Sequence, residues 1–327
     1  MRKSTVRLRG RGFRPSGGIP AKPRRRPRPP MPQLTTVAGA VTRLDLPERG
    51  SFNAGLVQMP GSDEYLMAYR PNEHSFIACR LRNDLTPIPK SYFRFSMGNC
   101  ADPRLIWLPD NRLLMVYSST EEVGMARECI RGAIVMDRNR SENFVDGPAF
   151  RISPEGPWRH KNWTPFIHDG AIYLIATIGP HIVYRLQLDG ETAECQQVYE
   201  TPWISPWPWP EFFRGNTPPV RLDDGNYLST FHTATWYDGC CYYDNGVYLF
   251  EGKPPFKVLK CGNRTFLPAE AAVEPPFRKA GIIRCIFPVG MVRSGERILI
   301  SYGDSDSCVK ILDTRVSELM TTMVDVY

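Results

Sequence analysis

Asp102 stands in Ala101-Asp102-Pro103-Arg104, at the head of the apolar pair Leu105-Ile106. Its carboxyl group is the best candidate in the chain for a general acid, the group that protonates the leaving oxygen when a glycosidic bond is cleaved. The same side chain can instead cap a turn or pair with Arg104. Inversion also needs a nucleophile delivered to the opposite face of the sugar. Lys161, Arg131 and His232 offer positive charge to hold an anionic nucleophile such as phosphate, although no glycine-rich phosphate loop is present. Arg131 taken alone suits a surface or salt-bridge role better. Asp306, in Tyr302-Gly303-Asp304-Ser305-Asp306, is placed either to bind substrate hydroxyls or to satisfy backbone amides in its turn.

These residues recur at corresponding places in five similar segments. Each has a short apolar strand, a turn rich in Gly, Asp, Asn or Pro, and a second apolar strand, usually with Tyr. Residues 52–57 lead through Pro60-Gly61-Ser62-Asp63 to 65–70, and 101–106 through Pro109-Asp110-Asn111 to 113–117. Residues 162–167 lead through His168-Asp169-Gly170 to 172–175, and 217–222 through Asp223-Asp224-Gly225 to 227–232. The fifth runs from 286–291 through Arg293-Ser294-Gly295 to 298–303. The turn residues supply the positive φ that tight hairpins require, and the flanking runs are short and rich in β-formers. Starts roughly 50 to 70 residues apart leave room for a four-stranded sheet per repeat, the size of a propeller blade. The sequence therefore predicts an all-β, five-bladed β-propeller over residues 36–327. A β-sandwich or two small β-domains is the plainer reading, but neither requires five similar first strands.

In a propeller the first strands line the central axis, so polar residues at their starts converge. Here these are Asn53, Asp102 with Arg104, Lys161 with Asn162, and Arg214 with Asn216, joined by Arg70, His232 and Asp306 at the ends of second strands. A polar side chain in such a place has a desolvation cost unless it is paired or faces water, so recurrence points to a common polar pocket. Carboxylates, cations and nearby aromatics suit a sugar. The Pro-interrupted run Trp203-Ile204-Ser205-Pro206-Trp207-Pro208-Trp209-Pro210 reads equally as a stacking wall over that pocket and as a rigid loop packed by Trp.

Composition sets outer limits. The net charge of +7 comes from 41 Lys and Arg against 34 Asp and Glu, but eleven of the basic residues and none of the acids fall in residues 1–31. The body is thus mildly acidic, and a nucleic-acid role rests on the tail alone. Residues 1–35, Arg/Pro-rich and almost free of aliphatics, are expected to be disordered. No apolar run follows the basic residues, which disfavours a secretory signal, and none reaches the length of a membrane helix. Nine cysteines, odd in number and without a Cys-x-x-Cys, suit free buried thiols in a reducing, cytoplasmic setting rather than a disulfide framework or zinc site. No metal and no cofactor is expected.

Taken together, Phe52-Asn53 with Tyr69-Arg70, Ala101-Asp102-Pro103-Arg104, Lys161-Asn162-Trp163-Thr164-Pro165-Phe166, Arg214-Gly215-Asn216-Thr217-Pro218-Pro219 with Phe231-His232, Leu267-Pro268-Ala269-Glu270, and Phe287-Pro288-Val289-Gly290 with Tyr302-Gly303 and Asp306 carry a family resemblance. They resemble the β-mannoside phosphorylase and β-1,2-mannosidase family, glycoside hydrolase family 130, over roughly residues 45 to 310, and are similar also to related β-1,2-mannosyltransferases. The resemblance implies a five-bladed propeller acting on β-mannoside oligosaccharides or glycans with inversion. It implies Asp102 as general acid, acting directly or through a substrate hydroxyl. Asn53, Arg70, Arg104, Asn162, His232 and Asp306 fall where sugar is contacted. Lys161 and His232, and less closely Arg131, fall where phosphate is held. Phosphorolysis or mannosyl transfer is expected ahead of hydrolysis, with inorganic phosphate, a sugar phosphate or a nucleotide sugar as further reactant. The chain departs from the pattern in two places: Asn216 replaces a small residue, and Asp304-Ser305 replaces two. The paired glutamates that act as base in the hydrolase branch have only Glu211 and Glu270 as nearby counterparts. A catalytically silent propeller that binds glycans is the alternative.

Overall fold

The computed structural model describes residues 37–71, 74–121, 127–154, 160–189, 192–206, 213–237, 240–267 and 282–326. After a short strand β1 (Ala40–Arg43), three meandering antiparallel sheets follow in sequence order. The first holds β2 (Phe52–Gln58), β3 (Tyr65–Arg70), β4 (Phe76–Leu81) and β5 (Phe93–Phe95). The second holds β6 (Cys100–Trp107), β7 (Arg112–Glu121), β8 (Arg127–Asp137) and β9 (Phe150–Arg151), and the third β10 (Thr164–His168), β11 (Ala171–Thr177), β12 (His181–Asp189) and β13 (Thr192–Thr201). All three are meanders because each strand pairs with the next in sequence, several of them through short turns. The inter-strand turns include Gly61, Asn111, Asp169 and Gly170, at φ of 72°, 64°, 46° and 75°. Left-handed backbone is what Gly, Asn and Asp tolerate, and it turns the chain tightly enough to pair its neighbours.

The remaining strands share one sheet. It contains β14 (Arg214–Gly215), β15 (Val220–Arg221), β16 (Tyr227–Tyr237), β17 (Cys240–Phe250), β18 (Val258–Gly262), β19 (Ile282–Ser294), β20 (Arg297–Asp304), β21 (Cys308–Arg315) and, after helix α1 (Val316–Met320), β22 (Met323–Asp325). The fourth and fifth repeats are thus not separate sheets. A parallel ladder pairs Cys240, Cys241, Tyr242 and Tyr243 of β17 with Ile282, Ile283, Arg284 and Cys285 of β19. Both strands run past the ordinary length of about five or six residues, so their ends overlap and satisfy each other's backbone groups. The termini fill the outer edges: β1 adds antiparallel to β21, and β22 to β18.

Apolar faces pack between successive repeats rather than in one central core. Leu66, Phe76 and Phe95 of the first meet Leu105, Met115 and Tyr117 of the second. Val116 and Ile130 meet Trp163 and Leu174, then Phe166 and Ile175 meet Phe231 and Phe250. Leu228 and Val247 meet Ile286 and Ile300, and Leu299 and Ile311 return to Leu56 and Met67. The sequence of contacts comes back to its start, with the first strands of neighbouring repeats side by side: β19 on β2, β2 on β6, β6 on β10.

Candidate active site

A cavity of about 460 Å³ opens where the first strands start, lined by Asn53, Arg70, Asp102, Lys161, Asn162 and Asp306, all singled out by the sequence. Three of them share an uncommon backbone. Asn53, Asp102 and Asn162 have φ of 49°, 57° and 60°. In β2 the ladder skips between Phe52 and Gly55, and in β6 between Ala101 and Arg104, so Asn53 and Asp102 each sit in a bulge. A bulge releases two residues from pairing and re-aims the side chain, and Asn and Asp bear the left-handed conformation at least cost. The repeat is therefore built to turn an Asx side chain into the cavity.

Asp102 is 4% exposed. Its Oδ1 accepts a 2.9 Å hydrogen bond from Asn53 Nδ2 and lies 3.6 Å from Arg70 Nη1. Both contacts fall on the same carboxylate oxygen. Arg70 is held in turn over the Phe52 ring at 4.7 Å, which fixes its planar head by a cation–π contact. Gly303 lets β20 close on this group: a Cβ there would lie 2.1 Å from Asn53 Oδ1.

On another wall, half-buried Lys161 pairs through Nζ with Glu128 Oε1 at 3.2 Å. Glu128 lines the cavity, and its carbonyl accepts from the His160 amide, 3.0 Å away. Asn162 accepts no side-chain partner at Oδ1, while its amide N–H donates to Ser118 Oγ at 3.2 Å. Asp306 comes from the turn between β20 and β21, where Ser305 and Asp306 have φ of 53° and 51° and the Ser307 amide donates back to Asp304. That turn is anchored below by a buried pair, Lys310 Nζ to Asp304 Oδ2 at 2.7 Å. Among the described residues, no group of three or more His, Cys, Asp or Glu could hold a metal ion.

Five expected residues, Arg104, Arg131, Arg214, Asn216 and His232, are not among those that line the cavity. Arg104 is 1% exposed and donates from Nε to Asn216 O, from Nη1 to Asp102 O and from Nη2 to Gly215 O, at 2.7, 2.9 and 3.3 Å. It thus ties the second repeat to the fourth, and burial lowers its pKa to about 10 against the opposing effect of Asp102. His232 is 2% exposed, with its ring stacked 5.1 Å from Tyr243 and Nδ1 2.5 Å from Asn216 Oδ1. Burial, then Arg214, Arg104 and Lys161, push its pKa well below the usual histidine value, so it is a neutral ring behind Tyr243 and Phe287. Asn216, the fourth repeat's counterpart of the Asx residues, is consumed by these buried contacts and by Asn245, to whose Oδ1 it donates. Arg131 lies farther along β8, in register with Tyr117 and Arg151.

The expected Trp wall is only partly described. Trp203 donates from Nε1 to Ile178 O and packs 5.8 Å from Phe213, as a packed loop would. Trp207, Trp209, Glu211, Glu270 and the tail, residues 1–35, lie outside the described residues. Among the described side chains seven cysteines, Cys195 among them, are free thiols, and all but Cys195 are buried. Burial raises the cavity-lining Cys100 thiol to about 12. Glu128 and Tyr243, which also line the cavity, escaped sequence reasoning. Both stand near the start of a third strand. In an antiparallel ladder that start lies beside the end of the second strand, as Glu128 does beside Thr120, and this adjacency was the available signal.

Residues 160–325 match the model of a family described as β-1,4-mannooligosaccharide phosphorylase. Among solved structures the chain is similar to a β-1,2-mannobiose phosphorylase from Listeria innocua, at 16% identity and TM-score 0.56, covering 89% of this chain and 96% of that one. It is similar to a mannose phosphorylase from Leishmania mexicana solved with phosphate ion, at 11% identity and TM-score 0.56 over 90% and 92%. A glycosyl hydrolase from Bacteroides ovatus gives 14% identity and TM-score 0.56 over 82% and 85%. At such identities the likeness is one of fold. No curated protein matches the chain.

Proposed function

This chain belongs to glycoside hydrolase family 130, the family of mannoside phosphorylases and glycosidases, and from that premise we propose that it cleaves β-mannosides with inversion, using Asp102 as general acid. The observation that carries the reading is the Asp102 carboxylate in the cavity, with Asn53 and Arg70 both on Oδ1. A group fixed through one oxygen presents the other to substrate, and we assign the transferred proton to Oδ2. That proton goes to the glycosidic oxygen as its bond to the anomeric carbon breaks. Asn162 and Asp306 supply an acceptor and a carboxylate for sugar hydroxyls, and Arg70 a donor. Arg104 acts by holding the backbone of Asp102 from below. We also infer that the five repeats are blades around one axis, residues 36–327 forming the catalytic domain. The return of the packing from fifth repeat to first supports this.

Asp102→Asn keeps the shape and removes the proton. Turnover of mannobiose is expected to fall by about 10²- to 10⁴-fold while calorimetric binding persists. Wild-type rates in this variant would remove Asp102 from the role. Between the branches phosphorolysis is put ahead of hydrolysis, and the presence of Arg70 and Lys161 in the same cavity supports that order. Incubating the enzyme with β-mannobiose, with and without inorganic phosphate, separates the branches: mannose 1-phosphate that requires phosphate marks a phosphorylase, free mannose without it a hydrolase. Binding with neither product would leave a silent glycan-binding protein.

A further inference from the structure

We propose that the chain carries a second saccharide site beside the first cavity, one that holds the distal units of a mannoside longer than a disaccharide. The inference rests on the reading of the first cavity as one that cleaves β-mannosides. A second cavity, of about 520 Å³, lies between residues 43–51, which lead from β1 into β2, and residues 307–309, where the turn after β20 enters β21. It is slightly larger than the first. The two are neighbours on both sides: Ser51 lines the second and Asn53 the first, while Asp306 lines the first and Ser307 the second. Two residues of chain span at most about 7 Å. The lining fits a neutral polyhydroxyl ligand, because Arg43 and Arg49 stand against Asp45 and Glu48, along with the Ser307 hydroxyl and apolar Leu46. Such a set repels a simple anion or cation about as much as it attracts it, whereas a sugar hydroxyl, donor and acceptor at once, uses both signs. Asp45 and Arg49 are exposed on an arch that is firmly held. The Leu44 amide donates to Val309 O at 3.0 Å, Ser51 Oγ to Glu48 O at 2.7 Å, and the Tyr69 hydroxyl to Glu48 Oε2 at 2.8 Å. The facing turn is fixed too, with Ser305 and Asp306 both left-handed above the buried Lys310–Asp304 pair. Walls already in place leave little ordering cost to binding.

The test compares β-mannobiose with β-mannotetraose of the same linkage, on the full chain and on the double variant Asp45→Ala/Arg49→Ala. About two net hydrogen bonds in the second cavity should lower KM for the tetraose about tenfold below that for the biose and leave kcat alone, because they act equally on ground and transition states. In the double variant the tetraose is expected to lose this advantage. Mannobiose should keep its wild-type kcat and KM there, which also shows that the variant folds. The same sugars titrated calorimetrically into Asp102→Asn, with and without the two alanines, read binding apart from turnover. Equal KM for the two sugars in wild type, a tetraose advantage that survives the double variant, or a variant that weakens both sugars alike overturns the proposal. If the calorimetric advantage of the tetraose is present and is lost with the alanines, yet wild type forms no product, the second site stands and the cleavage reading falls. If neither sugar binds or reacts, both fall together.

Discussion

At the scale of single residues, buried polar groups divide into those that face the cavity and those that hold it up. Asp102 and Arg104 are two residues apart, yet only the first lines the cavity. The sequence supports a polar pair at this position but contains nothing that says the guanidinium would turn to the carbonyls of Gly215 and Asn216, 111 and 112 residues away. That contact exists only once the second and fourth repeats have come together. His232 teaches the same point, since a histidine at a strand end reads as a cation until its burial is known. His181 carries this logic into stability. It is fully buried against the rings of Tyr248 and Phe250, and burial lowers its pKa to about 4, with the Phe256 backbone opposing only in part. The unfolded chain therefore binds a proton that the native one refuses between about pH 6.5 and 4. Stability from this source is complete above about pH 6.5 and is lost as pH falls, by about 3 kcal/mol in total. His232 acts in the same direction. Urea midpoints measured across that range should fall with pH, and His181→Phe should make the slope shallower by up to one proton while leaving the His232 contribution.

At the scale of elements, the hairpins were legible because two independent signals coincide in each, strand-like apolar runs and a turn residue fit for positive φ. The fifth turn shows it again, with Gly295 at 59°. The bulges were not legible. Nothing in Phe52-Asn53-Ala54-Gly55 distinguishes an Asn in a regular ladder from one in a bulge, because the difference is made by the neighbouring strand's register. Third strands were also passed over, and with them Glu128. The approach of β20 to β2 gives a test at this scale. Gly303→Ala would bring a methyl group to within 2.1 Å of Asn53 Oδ1 and 2.9 Å of its backbone nitrogen, so Asn53 must move and its bond to Asp102 with it. A loss of about 10²-fold in kcat is expected, with about 1–3 kcal/mol of overpacking cost in denaturant melts. An unchanged kcat would mean that Asn53 does not position the acid.

At the scale of the whole molecule, two termini are used as edge strands, and neither could be foreseen from the repeats, which they lie outside. β22 covers the edge of β18 through the pairs Lys260 with Asp325, Cys261 with Val324 and Gly262 with Met323. Met323 is buried with Leu319 and Val316 against Leu228 and Val247. The exposed Lys260–Asp325 ion pair adds under about 1 kcal/mol, whereas burying Met323 is worth about 2–3 kcal/mol. Truncation after Thr322 is therefore expected to lower the melting temperature by several degrees and to leave a sticky edge, seen as concentration-dependent association. A truncated chain that melts like the intact one would show that β22 is dispensable. Among the described residues no helix is long and apolar enough to cross a membrane. The parallel ladder between β17 and β19 makes two repeats behave as one mechanical piece. Tyr243 and Cys285, its last register pair, both line the cavity, so one wall is backed by main-chain bonds across the seam. Such a wall cannot spread without breaking them. Any widening of the cavity therefore falls to its other walls.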